Sequence, residues 1–150
     1  MIEVIEGNIL MAEEQIITHQ VNCQGVMGAG LAAQIRKKYP IVYERYVSLV
    51  QSRKDNKEVL GKTQIIKVES DKFIANIFGQ YTYGRLGIHT SYTALESALT
   101  DLKLRAQKHK KAIALPHGIG CGLAGGDWSK VSSIIENVFS DYKVALYKFK

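Results

Sequence analysis

"LPHGIGCGLAGGDW", residues 115–128, follows a short apolar run and leads to a helix start at Asp127. Five of its fourteen residues are glycine. Glycine permits positive φ and lets a backbone come close to a neighbour. Successive backbone N–H groups beside a helix N-terminus then form a nest for an anion. The stretch reads either as a tight turn or as a loop that cradles a ligand.

A second stretch weighs on the choice. "NCQGVMGAGLA", residues 22–32, also leaves an apolar strand and enters a helix. Either loop alone reads well enough as a turn. Two of them, each at a strand end, read as a clamp on both sides of a diphosphate.

The rest of the chain builds outward from these loops. Residues 2–6 alternate like a short strand, and 15–21 ("QIITHQV") are β-rich and mostly apolar, as in a buried strand. "LAAQIRKKY" has helical spacing, and Pro40 ends it and opens a second helix, "IVYERYVSLVQSR". Residues 62–68 and 72–78 are strands joined by a Ser70–Asp71 turn. Over 90–108, Leu95, Leu99, Leu102 and Ala106 share one helical face. Residues 112–115 make a buried strand, Asp127 caps a helix reaching Phe139, and 144–149 form a closing strand. Interleaved helices and strands predict an α/β class, with helices packed on a mixed sheet.

Composition bounds the function. A chain of 150 residues, 46% hydrophobic and 23% charged, suits one soluble domain over residues 1–150. Neither a membrane span nor a signal-peptide layout is legible, so a cytoplasmic location without a membrane partner is expected. Two cysteines, Cys23 and Cys121, make neither a zinc site nor an expected disulfide, and no metal or cofactor is implied. The net charge of +6 favours anionic partners. Its runs at 36–38, 53–54 and 108–111 read as solvated helix ends more readily than as a nucleic-acid patch.

Three motif readings fail on spacing. Gly28-Ala29-Gly30-Leu31-Ala32-Ala33 fits G-x-G-x-x-A, but six residues separate it from Val21, and the region near Val50 looks helical where a dinucleotide fold needs a second strand. Neither loop ends in Gly-Lys-Ser/Thr, which excludes a Walker A loop. His117 and Cys121 share a loop that lacks the arginine of a cysteine phosphatase, so Cys121 reads as a small packing residue.

Taken together, the stretches resemble the macrodomain family, whose members bind ADP-ribose. The resemblance covers nearly the whole chain. "EGNIL" at 6–10 is similar to the family's opening strand and turn, "HQVNCQGVMGAGLA" to the loop around the distal ribose and diphosphate, and "LPHGIGCGLAGGDW" to its second phosphate loop. "VMGAG" and "GIGCG" resemble the branch containing terminal ADP-ribose protein glycohydrolase, the DNA ADP-ribosyl glycohydrolase antitoxins and the yeast ADP-ribose 1″-phosphate phosphatase. The resemblance implies a three-layer α/β/α sandwich with a six-stranded mixed sheet. It implies that Gly28, Ala29, Gly30 and Leu31 face Gly118, Ile119, Gly120, Cys121, Gly122 and Leu123 across the diphosphate. Asn8 and Ile9 would lie near the adenine, where Tyr147 would stack, and Asn22 would approach the distal ribose.

For chemistry, the resemblance offers Asn22, His19 and Asp127 as catalytic candidates. Asp127 reads equally as the helix cap and His19 as a hydrogen-bonded core histidine. The branch's lysine and aspartate are unmatched: the loop "GQYTYGR" has no lysine in place, and Ala124 stands where the aspartate would. Gln80, Tyr81 and Tyr83 sit in a loop able to cover the distal ribose. The expected function is ADP-ribose binding, with hydrolysis at C1″ of the distal ribose. The partner is ADP-ribose or an ADP-ribosylated macromolecule, nucleic acid included. A non-catalytic reader and a nucleic-acid-binding module are the alternatives, and the second lacks any known motif.

Overall fold

Four of the five residues of Ile16–Gln20 (β2) are buried, as expected of a strand covered on both faces. The computed structural model describes residues 2–149. In it β2 lies between two parallel neighbours, Lys72–Ile77 (β4) and Ile113–Pro116 (β5). Val144–Lys148 (β6) and then Ile2–Glu6 (β1) extend the parallel sheet beyond β5. Thr63–Glu69 (β3) pairs antiparallel with β4 on the other side. The order β1-β6-β5-β2-β4-β3 is the expected six-stranded mixed sheet. The β3–β4 turn places Asp71 at φ 56°, a left-handed position that aspartate tolerates.

Helices cover both faces. Gly30–Lys38 (α1) and Pro40–Gln51 (α2) bury Ile35, Val42, Tyr46 and Val50 against Ile17 and Ile74. Pro40 opens α2, where a missing N–H costs nothing. Tyr92–His109 (α3) and Trp128–Val138 (α4) cover the opposite face. The predicted stripe Leu95, Leu99 and Leu102 is fully buried there, each leucine contributing about 2 kcal/mol. The result is the three-layer α/β/α sandwich.

The differences from the sequence expectations are at boundaries. The strand expected over 112–115 runs from Ile113 to Pro116, and the closing strand ends at Lys148. The long helix starts at Tyr92 because the Ser91 hydroxyl accepts the Ala94 N–H as its cap. Two 3-10 turns, Ile9–Met11 and Asn56–Val59, were not foreseen, since three or four residues carry no readable period.

One feature of the topology positions the site. β2 and β5 are neighbours, yet the chain leaves β2 toward α1 on one face and β5 toward α4 on the other. Loops that part in opposite directions open a crevice at the carboxyl ends of the strands.

Candidate ligand cleft

That crevice is a cleft of about 740 Å³, within the size range of small-molecule sites. Both glycine loops line it, together with Gln80 and residues 83–85 from the segment after β4.

The first loop is organised by side chains. The Asn22 Oδ1 accepts the N–H of Gln24 at 2.9 Å, and its Nδ2 donates to the Val26 carbonyl at 2.8 Å. The Tyr46 hydroxyl, buried in α2, lies 2.6 Å from the Asn22 carbonyl and 2.8 Å from Oδ1. It also accepts the N–H groups of Gly25 and Val26, each at 3.2 Å. Asn22, expected to approach the distal ribose, has an amide able to offer both a donor and an acceptor. Its acceptor is instead used inside the loop, and what remains is one amide hydrogen.

The second loop is held mainly by backbone. Gly126 N–H donates to Gly120 O at 2.9 Å, and the N–H groups of His89 and Thr90 donate to Ala124 O. The Thr90 hydroxyl donates to Gly120 O at 2.6 Å and accepts from Gln20 Nε2 at 3.0 Å. Gln20 also reaches Gln80 Oε1 at 2.8 Å. The segment after β4 is thereby strapped to the second loop.

Three features suit an anion. The N-terminus of α1, at residues 29–32, lines the cleft with no side-chain cap, whereas Ser91 and Asp127 cap α3 and α4. Its first N–H groups and its dipole therefore face the cleft without an internal carboxylate or hydroxyl. Gly28 and Gly122 line the walls although neither has positive φ nor a neighbour that a Cβ would strike closer than 3.7 Å. The fold does not require those two glycines. Finally, Arg85 lines the cleft, and among the described residues no aspartate or glutamate does.

His19, at the carboxyl end of β2, also lines the cleft. It is 2% exposed, and burial lowers its pKa from 6.5 to about 4. The ring is neutral at physiological pH. Nε2 lies 2.5 Å from Asn76 Oδ1, while Nδ1 has no protein partner among the described residues.

The Macro domain family model matches residues 18–135, most of the chain. The chain belongs to the macrodomain family. A DNA ADP-ribosyl glycohydrolase from Mycobacterium tuberculosis is 27% identical over 143 residues, which cover 93% of this chain and 39% of that protein. This macrodomain thus spans less than half the length of that relative. An ADP-ribose 1″-phosphate phosphatase from Meyerozyma guilliermondii is 27% identical over 145 residues, 81% of this chain and 82% of the phosphatase. The solved macrodomain of Mycobacterium tuberculosis DarG matches with a TM-score of 0.84 at 25% identity, over 98% of this chain and 97% of that one.

The macrodomain brings Gly28, Ala29, Gly30 and Leu31 to the cleft with Gly118, Ile119, Gly120, Gly122 and Leu123, and adds His19 and Asn22. Five expected residues stand elsewhere. Cys121 does not line the cleft; its side chain packs beside the α3–α4 core, and burial, then the Asp127 charge, raises its pKa. Asp127 is the cap of α4, not a cleft residue: its Oδ1 accepts both the N–H and the hydroxyl of Ser129 at 2.9 Å. Those bonds hold its carboxyl below the usual range. Asn8 caps the first 3-10 turn through Leu10 N–H, and Ile9 is 6% exposed in the α1–α2 core. Tyr147 packs on that same core and donates to Glu14 Oε1 at 2.7 Å; burial and then Glu14 push its pKa up to about 12. Asn8 and Ile9 follow β1, which pairs with β6 and its Tyr147, but none of the three lines the described cleft.

Of the loop residues after β4, Gln80 and Tyr83 reach the cleft, and Tyr81 turns to the α1–α2 core. Arg85 and Tyr46 were missed. Arg85 was legible as the one cation in "GQYTYGR". Tyr46 has no sequence signal, because its hydroxyl acts on a loop twenty residues away.

Proposed function

We propose that this macrodomain binds ADP-ribose and hydrolyses a bond at C1″ of the distal ribose. The observation that carries the reading is the uncapped α1 N-terminus sharing one cleft with two glycines that the fold does not need, with no carboxylate among the described lining residues. A diphosphate suits that surroundings in charge and in the space it requires. The family and its relatives, a glycohydrolase and a phosphatase, support the ligand and the bond.

With no carboxylate at hand, the proton acceptor is neutral His19 or the ligand's own phosphate. In the proposed step a water oxygen bonds to C1″, its proton passes to that acceptor, and the leaving group departs with the electrons of the broken bond. Phosphate, a protein side chain and a nucleobase are all leaving groups this step allows. The reading of a reader without turnover rests on Ala124, whose methyl-bearing residue lines the cleft where the resembled branch carries an aspartate.

Calorimetry with ADP-ribose and AMP tests binding. ADP-ribose is expected at micromolar affinity, on the order of −8 kcal/mol, and AMP more weakly; equal affinities would defeat the clamp. Incubation with ADP-ribose 1″-phosphate, ADP-ribosylated protein and ADP-ribosylated DNA then separates enzyme from reader, since a reader releases nothing from any of them.

A further inference from the structure

The surroundings of His19 contain more order than packing requires. Three polar side chains from three strands line up across the face of the sheet that α2 covers. His19 on β2 is paired in register with Asn76 on β4, and Asn76 with Gln64 on β3. Asn76 is fully buried. Its Nδ2 donates to Gln64 Oε1 at 3.0 Å, and Gln64 Nε2 donates to the backbone carbonyl of Arg45, in α2, also at 3.0 Å.

The directions of these bonds are forced from one end. A carbonyl oxygen can only accept, so Gln64 must turn its NH2 toward Arg45 and its oxygen toward Asn76. That oxygen can only accept, so Asn76 must turn its NH2 toward Gln64 and its oxygen toward His19. The Asn76 oxygen can only accept in turn, so the facing nitrogen, Nε2, must carry the proton. A neutral imidazole holds one proton, and Nδ1 is left as a lone pair.

We propose that Gln64 and Asn76 are positioning residues, a chain of amides anchored on the Arg45 carbonyl that fixes His19, a residue lining the cleft, as the Nε2–H tautomer and leaves its buried, unpartnered Nδ1 as the hydrogen-bond acceptor. A wrong tautomer would present a donor there and could take no proton from a water or hydroxyl. The proposal rests on the functional reading only for its kinetic consequence; the tautomer is a property of the free protein. The buried neutral state agrees with it, since a histidine that stays uncharged keeps its tautomer over the whole physiological range.

Nitrogen-15 NMR of the His19 ring in the ligand-free protein reads the tautomer directly. Near neutral pH, Nε2 is expected to be protonated and Nδ1 bare, and ADP-ribose should shift Nδ1 more than Nε2. Gln64→Met cuts the chain at its anchored end and frees the Asn76 amide to rotate, so a measurable share of the proton should move to Nδ1. Gln64→Glu still accepts from Asn76 and should restore the wild-type pattern. With a hydrolysed substrate in hand, Gln64→Met should lower kcat about tenfold or more with KM little changed, and Gln64→Glu should recover most of it. Gln64 is partly exposed on its strand, so Gln64→Ala serves if the methionine variant does not fold. Protonated Nδ1 in the wild type, or an unmoved tautomer in the variant that cuts the chain, overturns the proposal. Failure of ADP-ribose to bind would overturn the functional reading instead and leave the tautomer result to stand or fall by itself.

Discussion

The two glycine loops face each other across one cleft, but they are built on different principles. The first is gathered mainly by side chains: the Tyr46 hydroxyl joins Asn22, Gly25 and Val26, Asn22 completes the turn, and Cys23 N–H and Gln24 Nε2 donate to the Tyr81 carbonyl. The second is spread over many backbone bonds and one strap, Thr90. Their strands differ in the same sense. β2 brings a buried histidine and a polar chain to its loop, while β5 brings Ala114 and Leu115, both fully buried and apolar. One wall of the cleft thus depends on side-chain chemistry and the other on backbone geometry. Substitutions should reveal that asymmetry.

The largest effect is expected where the ligand, not the fold, needs glycine. Gly28→Glu and Gly122→Glu place a carboxylate in the cleft at positions with ordinary φ and room for a Cβ. Each should weaken ADP-ribose by more than about 100-fold, about 2.7 kcal/mol, with thermal stability almost unchanged. Gly120 appeared equivalent from sequence and is not. Its φ is +77°, and a Cβ there would meet Gln20 Oε1 and Thr90 Oγ1, both at 3.2 Å. Gly120→Glu should therefore lose stability as well, by about 1–2 kcal/mol for the backbone alone. Calorimetry beside thermal melts on each variant checks the split. Equal loss of stability in all three would erase the distinction between ligand-required and fold-required glycines.

That distinction also marks the limit of what sequence could give. The two strands that lead into the glycine loops were legible as apolar runs, and helix faces followed from periodicity, as at Leu95, Leu99 and Leu102; the strand order was not. Glycine spacing located both walls of the cleft. It could not say which glycine answers to φ, which to a neighbour and which to a ligand, because that depends on contacts such as Gln20 to Gly120. Asp127 shows the same ambiguity: one residue type serves as cap and as catalyst, and only its bonds to Ser129 reveal the capping role. The chain from Arg45 to His19 spans three strands and a helix, a separation that no local pattern encodes. Residues at the expected adenine end, Asn8, Ile9 and Tyr147, had motif support, yet local capping and core packing account for their positions here.

The next effect concerns the polar strand. His19 titrates near 6.5 when unfolded and near 4 when folded. Between those values the unfolded chain binds the extra proton. The stability contributed by keeping His19 neutral is therefore complete above about pH 6.5 and is lost as pH falls toward 4. At pH 4.5 the loss from this group alone should be about 2–3 kcal/mol. His19→Gln should flatten the acid limb of a denaturant-midpoint profile by that amount relative to wild type. An unchanged acid limb would mean that His19 is protonated in the folded state at acid pH without penalty, and the contrast between a polar and an apolar strand would lose its main support.

The smallest effects compare the two devices that hold the loops. Tyr46→Phe keeps the ring, which packs 5.9 Å from Phe78, and removes only the hydroxyl. The Gly25 N–H then loses its acceptor, the Val26 N–H keeps only Asn22 Oδ1 at 3.4 Å, and the Asn22 carbonyl loses its donor. Leaving such buried groups unpaired should cost about 2 kcal/mol, and the slackened loop should weaken ADP-ribose several-fold because binding must now order it. Thr90→Val removes one bond to Gly120 O, which still receives the Gly126 N–H, and one of two acceptors for Gln20 Nε2. Its cost should be nearer 1 kcal/mol, with affinity per folded molecule almost unchanged. Denaturant melts and calorimetry on the two variants decide. If Thr90→Val proves the more damaging to binding, the second loop is the one governed by a single side chain, and the asymmetry runs the other way.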